Sequence, residues 1–220
     1  MDQDRPKPDL IIFDCDGVLV DSELLSCRCL SEVLAEFGIA LGEERALELF
    51  LGRSTNAIEQ HYRDLGQIVP DGFLPRLKSQ VLTTFAASLQ PIPGIAGVIS
   101  GLSVPFCVAS SSDMDRVALS LDVTGLRAHF GERIYTAQMV RHGKPAPDLF
   151  LLAAEKMGVQ PARTLVIEDS VSGVKAGKAA GMTVWGFVGG SHYRSRDGRV
   201  ILSGAGADRV FARMSEFWEA

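Results

Sequence analysis

The sequence predicts an α/β fold, a doubly wound parallel sheet with an α-helical segment inserted after its first strand. Three observations predict it. Short apolar runs ended abruptly by turn or acidic residues recur along the chain, the signature of strands buried on both faces. Helical patterns separate most of these runs, and strands alternating with helices imply a parallel sheet covered on both sides. One stretch, from Ser22 to about Gln90, breaks the alternation and shows helical periodicity only.

The first strand is Leu10-Ile11-Ile12-Phe13, ending at Asp14-Cys15-Asp16-Gly17. Three helical stripes follow. Leu30, Val33, Leu34 and Phe37 make the first, with Gly38 as its stop. Ile58, Tyr62 and Leu65 make the second, before Gly66; Leu74, Leu77, Val81 and Phe85 make the third, closed by Pro91 and Pro93. A stretch this long does not suit a plain strand-to-helix connection. Residues 22–91 are therefore expected to form a helical lid on a core of residues 1–21 and 92–220, with hinges near Asp21 and Pro91–Gly94. The core resumes with Pro105–Ala109, ending in Ser110-Ser111-Ser112-Asp113, and a helical pattern at Val117–Leu121. Ile134-Tyr135-Thr136 is a weaker strand, and Leu149–Met157 the next helix. Thr164–Ile167 ends in Glu168-Asp169-Ser170 and leads into a helix over Val171–Ala180; Thr183–Phe187 ends in Gly189-Gly190. Gly173, Gly177 and Gly181 are expected to let that helix approach the sheet closely.

At 220 residues the chain has room for one sizeable domain or a core plus a small insert, and 46% hydrophobic with 22% charged residues is a globular balance. A net charge of −5 and a pI near 5.4 argue against nucleic acid as the main partner. They leave room for a small phosphorylated ligand, because a bound cation reverses the local field. Met1 to Asp9 is polar and proline-bearing, unlike a secretory signal. No run approaches the roughly 18 apolar residues of a membrane span. Cys15, Cys27, Cys29 and Cys107 lack zinc-ligand spacing with the histidines, so reduced thiols in a cytoplasmic protein are expected. The assembly expected is a monomer or weak dimer.

The polar residues gather at the carboxyl ends of the strands, the edge where open α/β sheets bind ligands. Asp14, Asp16, Ser110, Glu168 and Asp169 are expected to converge there from distant parts of the chain. Hydrolysis of a phosphate monoester needs a nucleophile, a proton donor and cations to offset negative charge. Asp14 and Asp16, two apart on one turn, suit the first two needs, although such a pair also suits a solvated turn. Glu168-Asp169 suits a hard cation such as magnesium, or the cap of the next helix, or both. Ser110 suits either a phosphoryl oxygen or a cap, and Lys144, just ahead of Pro145, reads on its own as a surface charge. Gly173-x₃-Gly177-Lys178-Ala179 has neither the spacing nor the hydroxyl of a phosphate-binding P-loop.

Taken together, Phe13-Asp14-Cys15-Asp16-Gly17-Val18-Leu19-Val20-Asp21-Ser22-Glu23, the strand-end Ser110, Gly143-Lys144-Pro145-Ala146-Pro147-Asp148 and Ile167-Glu168-Asp169-Ser170 resemble, in order, the four motifs of the haloacid dehalogenase superfamily. The resemblance runs from Leu10 to about Val188, and within the superfamily it points to the 6-phosphogluconate phosphatases and β-phosphoglucomutases. It implies a Rossmann-like core with a small α-helical cap, and a Mg²⁺-dependent phosphatase acting on small phosphorylated metabolites, sugar or sugar-acid phosphates. By resemblance, Asp14 is the nucleophile that becomes an aspartyl-phosphate, and Asp16 the general acid and then base. Ser110, with Ser111 beside it, grips the phosphoryl oxygens and Lys144 offsets charge. Magnesium is held by the Asp14 carboxylate, the Asp16 carbonyl and Asp169, with Glu168 in or just behind that shell. To act as an acid near neutral pH, Asp16 is expected to have a raised pKa. Specificity is expected from the lid, with Arg53, Arg76 and Lys78 as candidates, Arg53 first. A phosphomutase would carry a histidine where Ser26 stands. A dehalogenase would need neither Asp16 nor a full metal site, and a phosphoacceptor switch would need no lid.

Overall fold

The computed structural model describes residues 7–50 and 56–218, so Arg53 lies outside the described residues. Along the chain, β1 (Leu10–Phe13) leads through a tight loop into four helices: α1 (Glu23–Glu36), α2 (Glu43–Phe50), α3 (Asn56–Asp64) and α4 (Phe73–Ser88). Then come α5 (Ile95–Gly101), β2 (Phe106–Ser110), α6 (Met114–Val123), α7 (Arg127–Phe130), β3 (Ile134–Thr136) and α8 (Asp148–Lys156). β4 (Thr164–Glu168), α9 (Val171–Ala179), β5 (Thr183–Phe187), α10 (Gly198–Gly204) and β6 (Arg209–Phe211) complete the order.

The six strands pair in parallel in the order β3-β2-β1-β4-β5-β6. Every residue of β1 is buried, because this central strand has covered faces on both sides. Its side chains alternate between two cores. Ile11 and Phe13 join Val98, Val117, Phe130 and Phe217 on one face; Leu10 and Ile12 join Phe150, Val174 and Leu202 on the other. The strand order reverses at β1, so the helices after β1 and β4 diverge and leave a crevice at the carboxyl ends of β1, β2 and β4.

Local signals set the helices that frame this crevice. Asp113 caps α6 by accepting from Arg116 N at 2.9 Å, and Ser170 caps α9 by accepting from Gly173 N at 3.0 Å. Gly38, at φ +79°, stops α1 as expected. The four helices after β1 form the body above the sheet edge, with α1 packed on α2 and α4, and α4 resting on α6 of the core. The two crossings lie side by side: Asp21 N donates to Gln90 O and Ile92 N to Leu19 O, each at 2.9 Å.

Some expectations differ. Leu65 is 60% exposed and belongs to no buried stripe, because α3 ends at Asp64. Gly173 and Gly177 do allow close approach, since a Cβ on Gly177 would meet Val184 Cγ2 at 2.6 Å. Gly181 does not: nothing lies near it, and its φ of +74° marks a turn after the helix. The elements α2, α5, α10 and β6 had no clear signal in the sequence. α5 is seven residues with two glycines, and β6 is a three-residue edge strand.

Candidate active site

Asp14 follows the last residue of β1, and its N–H donates to Ile167 O of β4 at 3.0 Å. The chain then turns sharply. Gly17 N donates to Val20 O at 2.8 Å, and Gly17 has φ +76°. Any larger residue would be strained there, and its Cβ would stand 1.8 Å from Asp169 Oδ2. Glycine is thus what lets the β4 carboxylate lie against the β1 loop.

Lys144 is no surface charge. Its side chain is 1% exposed, and Nζ donates to Asp14 Oδ1 at 2.5 Å, Glu168 Oε1 at 2.7 Å and Ala109 O at 2.9 Å. All three ammonium protons are used. Glu168 Oε2 in turn accepts from Ser170 N at 2.8 Å and Ser170 Oγ at 2.9 Å. Both Glu168 oxygens thus accept hydrogen bonds from the protein, and one of them holds Lys144. Ser110 is fully buried, and its Oγ accepts from Ser112 N at 3.0 Å; the cap of α6 is Asp113 instead.

Asp16 is gripped from three sides. Its Oδ1 accepts from Ser22 Oγ at 2.6 Å and Arg116 Nη2 at 2.7 Å, and its Oδ2 from Ser112 Oγ at 2.6 Å. Burial pushes its pKa up, but Arg116 and the two hydroxyls outweigh burial and hold it below the ordinary carboxylate value. The expectation of a raised Asp16 pKa is overturned in this conformation, because Arg116, 100 residues away along the chain, folds onto it. Asp14 and Asp169 go the other way. Burial pushes Asp14 well above the usual range, Lys144 opposes, and Glu168, Asp169 and Asp16 push it further. Burial and then the Glu168 charge do the same to Asp169.

Four carboxylates (Asp14, Asp16, Glu168, Asp169) crowd against two buried cations (Lys144, Arg116), and the upward shifts of Asp14 and Asp169 mark the two that a further positive charge would relieve. Asp169 Oδ2 is buried without a hydrogen-bond partner among the described residues. Among those residues no cluster of three or more His, Cys, Asp or Glu side chains is arranged to hold a metal. A cation here would rest on the Asp14 and Asp169 carboxylates and the Asp16 carbonyl, and take its remaining oxygens from water and phosphate. Magnesium, which keeps several waters, suits that donor set.

The cleft opens into a cavity of about 380 Å³. Asp14, Asp16, Ser110, Ser111 and Asp169 form its floor, and the helices above contribute Leu30, Phe50, Ile58, Leu77 and Val81. That apolar roof was not foreseen. Lys78 reaches the rim, but its Nζ pairs with Asp115 Oδ2 at 2.6 Å and Asp113 Oδ2 at 3.2 Å, bridging α4 to the core. Arg76 is spent on Glu36, with Nε and Nη2 at 2.9 and 2.7 Å from its oxygens. The charge sequence reasoning missed is Arg116, which lines the cavity, also donates to Ser26 Oγ at 2.9 Å, and lies over the Phe85 ring. Its only signal is a basic residue in the first turn of a helix whose other inward positions, Val117 and Leu121, are apolar. Glu23 was also missed: it is buried at the cleft, and burial, then Asp169 and Asp16, raise its pKa to about 8.

The family described as haloacid dehalogenase-like hydrolase matches residues 11–187. A 6-phosphogluconate phosphatase of Escherichia coli (strain K12) is 28% identical over 187 residues, covering 83% of each chain. Fructose-1-phosphate phosphatase YqaB of the same organism is 35% identical over 175 residues, covering 78% of this chain and 92% of its own. The crystal structure of a HAD family hydrolase from Deinococcus radiodurans R1, with bound phosphate and sodium, aligns with a TM-score of 0.77 and 36% identity, over 97% of this chain and 94% of that one.

Proposed function

The chain belongs to the haloacid dehalogenase-like hydrolase family, and from that premise we propose that it is a Mg²⁺-dependent phosphatase of small phosphorylated metabolites that carries the phosphoryl group on Asp14. The observation that carries this reading is the pairing of Asp14 with buried Lys144 at the floor of the cavity. A carboxylate held there by an ammonium, next to the underused carboxylate of Asp169, suits attack on phosphorus once charge is balanced. A divalent cation on Asp14, Asp169 and the Asp16 carbonyl would neutralise the phosphoryl oxygens.

In the first step an Asp14 oxygen bonds to phosphorus, the bond to the ester oxygen breaks, and that oxygen takes a proton from Asp16. In the second, Asp16 takes a proton from water, the hydroxide oxygen bonds to phosphorus, and Asp14 is released with inorganic phosphate. The Asp16 of this conformation is held as a carboxylate, the form the second step starts from. Loading it for the first step requires a substrate or lid movement that loosens Ser22, Ser112 or Arg116. Ser110 and Ser111 would meet the phosphoryl oxygens, and Lys144 would hold the nucleophile aligned and offset part of its charge.

The helices of residues 22–91 would act as the lid over residues 1–21 and 92–220, hinged where Asp21 and Gln90 are bonded together. Sugar and sugar-acid phosphates are the favoured substrates, supported by what the two Escherichia coli relatives are named for. Ser26 stands where a phosphomutase of this family would carry histidine; its Oγ is occupied by Ser22 O and Arg116, which favours hydrolysis.

The test is a panel of phosphorylated sugars and sugar acids assayed with Mg²⁺, using Asp14→Asn as the blank. Wild type should release phosphate and transiently gain the mass of one phosphoryl group on the peptide containing Asp14. Full activity in the variant would overturn the nucleophile, and isomerised sugar phosphate in place of inorganic phosphate would turn the reading to a mutase.

A further inference from the structure

Buried polar atoms without partners are rare, and each asks for a reason. Three such atoms belong to one neighbouring pair, Asp169 Oδ2 and the two ring nitrogens of His192, of which Nε2 faces the carboxylate. His192 lies in the short 3₁₀ turn Ser191–Tyr193 after β5, and its side chain is fully buried. Its Nε2 stands 3.2 Å from Asp169 Oδ2, near enough to hydrogen bond but off the line of the N–H.

Everything around this contact is tied down. Ser191 N and Oγ donate to Asp21 Oδ1 at 3.0 and 2.8 Å, and Tyr193 Oη donates to the main-chain carbonyl of Asp169. Three successive residues of one turn thus engage the loop after β1 and the residue after β4 at once. Glycines make the fit possible: a Cβ on Gly17 would meet His192 Cε1 at 3.1 Å, and one on Gly190 would meet it at 2.6 Å.

We propose that His192 is a positioning residue for the cation site, whose Nε2–H steadies the Asp169 carboxylate that is presented to a divalent ion. This rests on the reading of the cleft as a divalent-cation site. The arrangement is that of an outer-shell partner, which orients a ligand without touching the metal.

Titration calorimetry of metal-stripped protein with MgCl₂ tests it, using His192→Gln and His192→Met. The two replacements have nearly the same shape, and only Gln carries an amide N–H near the Nε2 position. H192M should weaken Mg²⁺ binding by about 10- to 100-fold, the usual effect of losing an outer-shell partner, while H192Q stays close to wild type. The gain in melting temperature on adding Mg²⁺ should shrink in H192M alone. Unchanged Mg²⁺ binding in H192M, or equal weakening in both variants, overturns the proposal. Should H192M not fold, His192→Asn, whose amide reaches only the Nδ1 position, takes its place with the same expectation. Failure of the wild-type protein to bind Mg²⁺ would overturn the cation reading itself, and is seen without any variant.

Discussion

The charge balance of the cleft turns on Lys144, whose single ammonium pairs with two buried carboxylates at once. Lys144→Met leaves Asp14 and Glu168 buried and unpaired, a loss of about 3–5 kcal/mol for a broken buried pair. Turnover should fall by about 10²–10³-fold, as when one preorganised donor is removed; urea unfolding and kcat measure the two effects. Glu23 makes a prediction in pH. Its folded pKa of about 8 lies above the ordinary 4.5, so the folded protein keeps a proton that the unfolded chain releases. Stability that Glu23 contributes is complete below about 4.5 and is lost as pH rises through about 8. Glu23→Gln removes this dependence. In chelator, its melting temperature should match wild type near the acid end and exceed it above the Glu23 pKa by at least ~2 °C, the shift of about 1 kcal/mol in a chain of this size. An equal gap across the range would show that Glu23 is ionised throughout. Asp14 and Asp16 were legible because carboxylates directly after a buried strand are conspicuous. Lys144 was legible only through the motif resemblance and not on its own, because its partners lie 130 and 24 residues away.

At the level of elements, α9 carries the site by how closely it lies on the sheet. Gly173 leaves room for Glu168, whose Oε1 would be 1.7 Å from a Cβ at that position, and Gly177 leaves room for Val184. Gly177→Ala should therefore push α9 from β5 and cost about 1–3 kcal/mol of stability, as overpacking does. Because Gly177 is a turn away from the cleft, kcat should hold, and thermal melts beside steady-state assays separate the two. The strands β1, β2, β4 and β5 were legible as apolar runs with polar ends. The short α5 and β6 were not, since their few residues carry too little periodicity and are held by neighbours rather than by propensity.

For the whole molecule, the helices above the sheet close a cavity whose roof is apolar and whose floor is acidic. Such a cleft binds a dianionic phosphate only with its charge offset. Chelation should abolish phosphate release, and added Mg²⁺ should restore it. Inorganic phosphate should raise the melting temperature in Mg²⁺ and not in chelator, following the linkage between ligand binding and stability. Stabilisation by phosphate alone would show that Lys144 and Arg116 suffice.

By itself the sequence determined the sheet, the helical insertion and the carboxylates at the strand ends, because these follow from local patterns of apolar and turn residues. Only the tertiary structure decided which charges meet. Arg116 on Asp16, Lys144 between Asp14 and Glu168, and His192 against Asp169 join residues 100, 130, 24 and 23 positions apart. Their protonation depends on burial and on the distance to each neighbour, and neither quantity exists until the chain has folded.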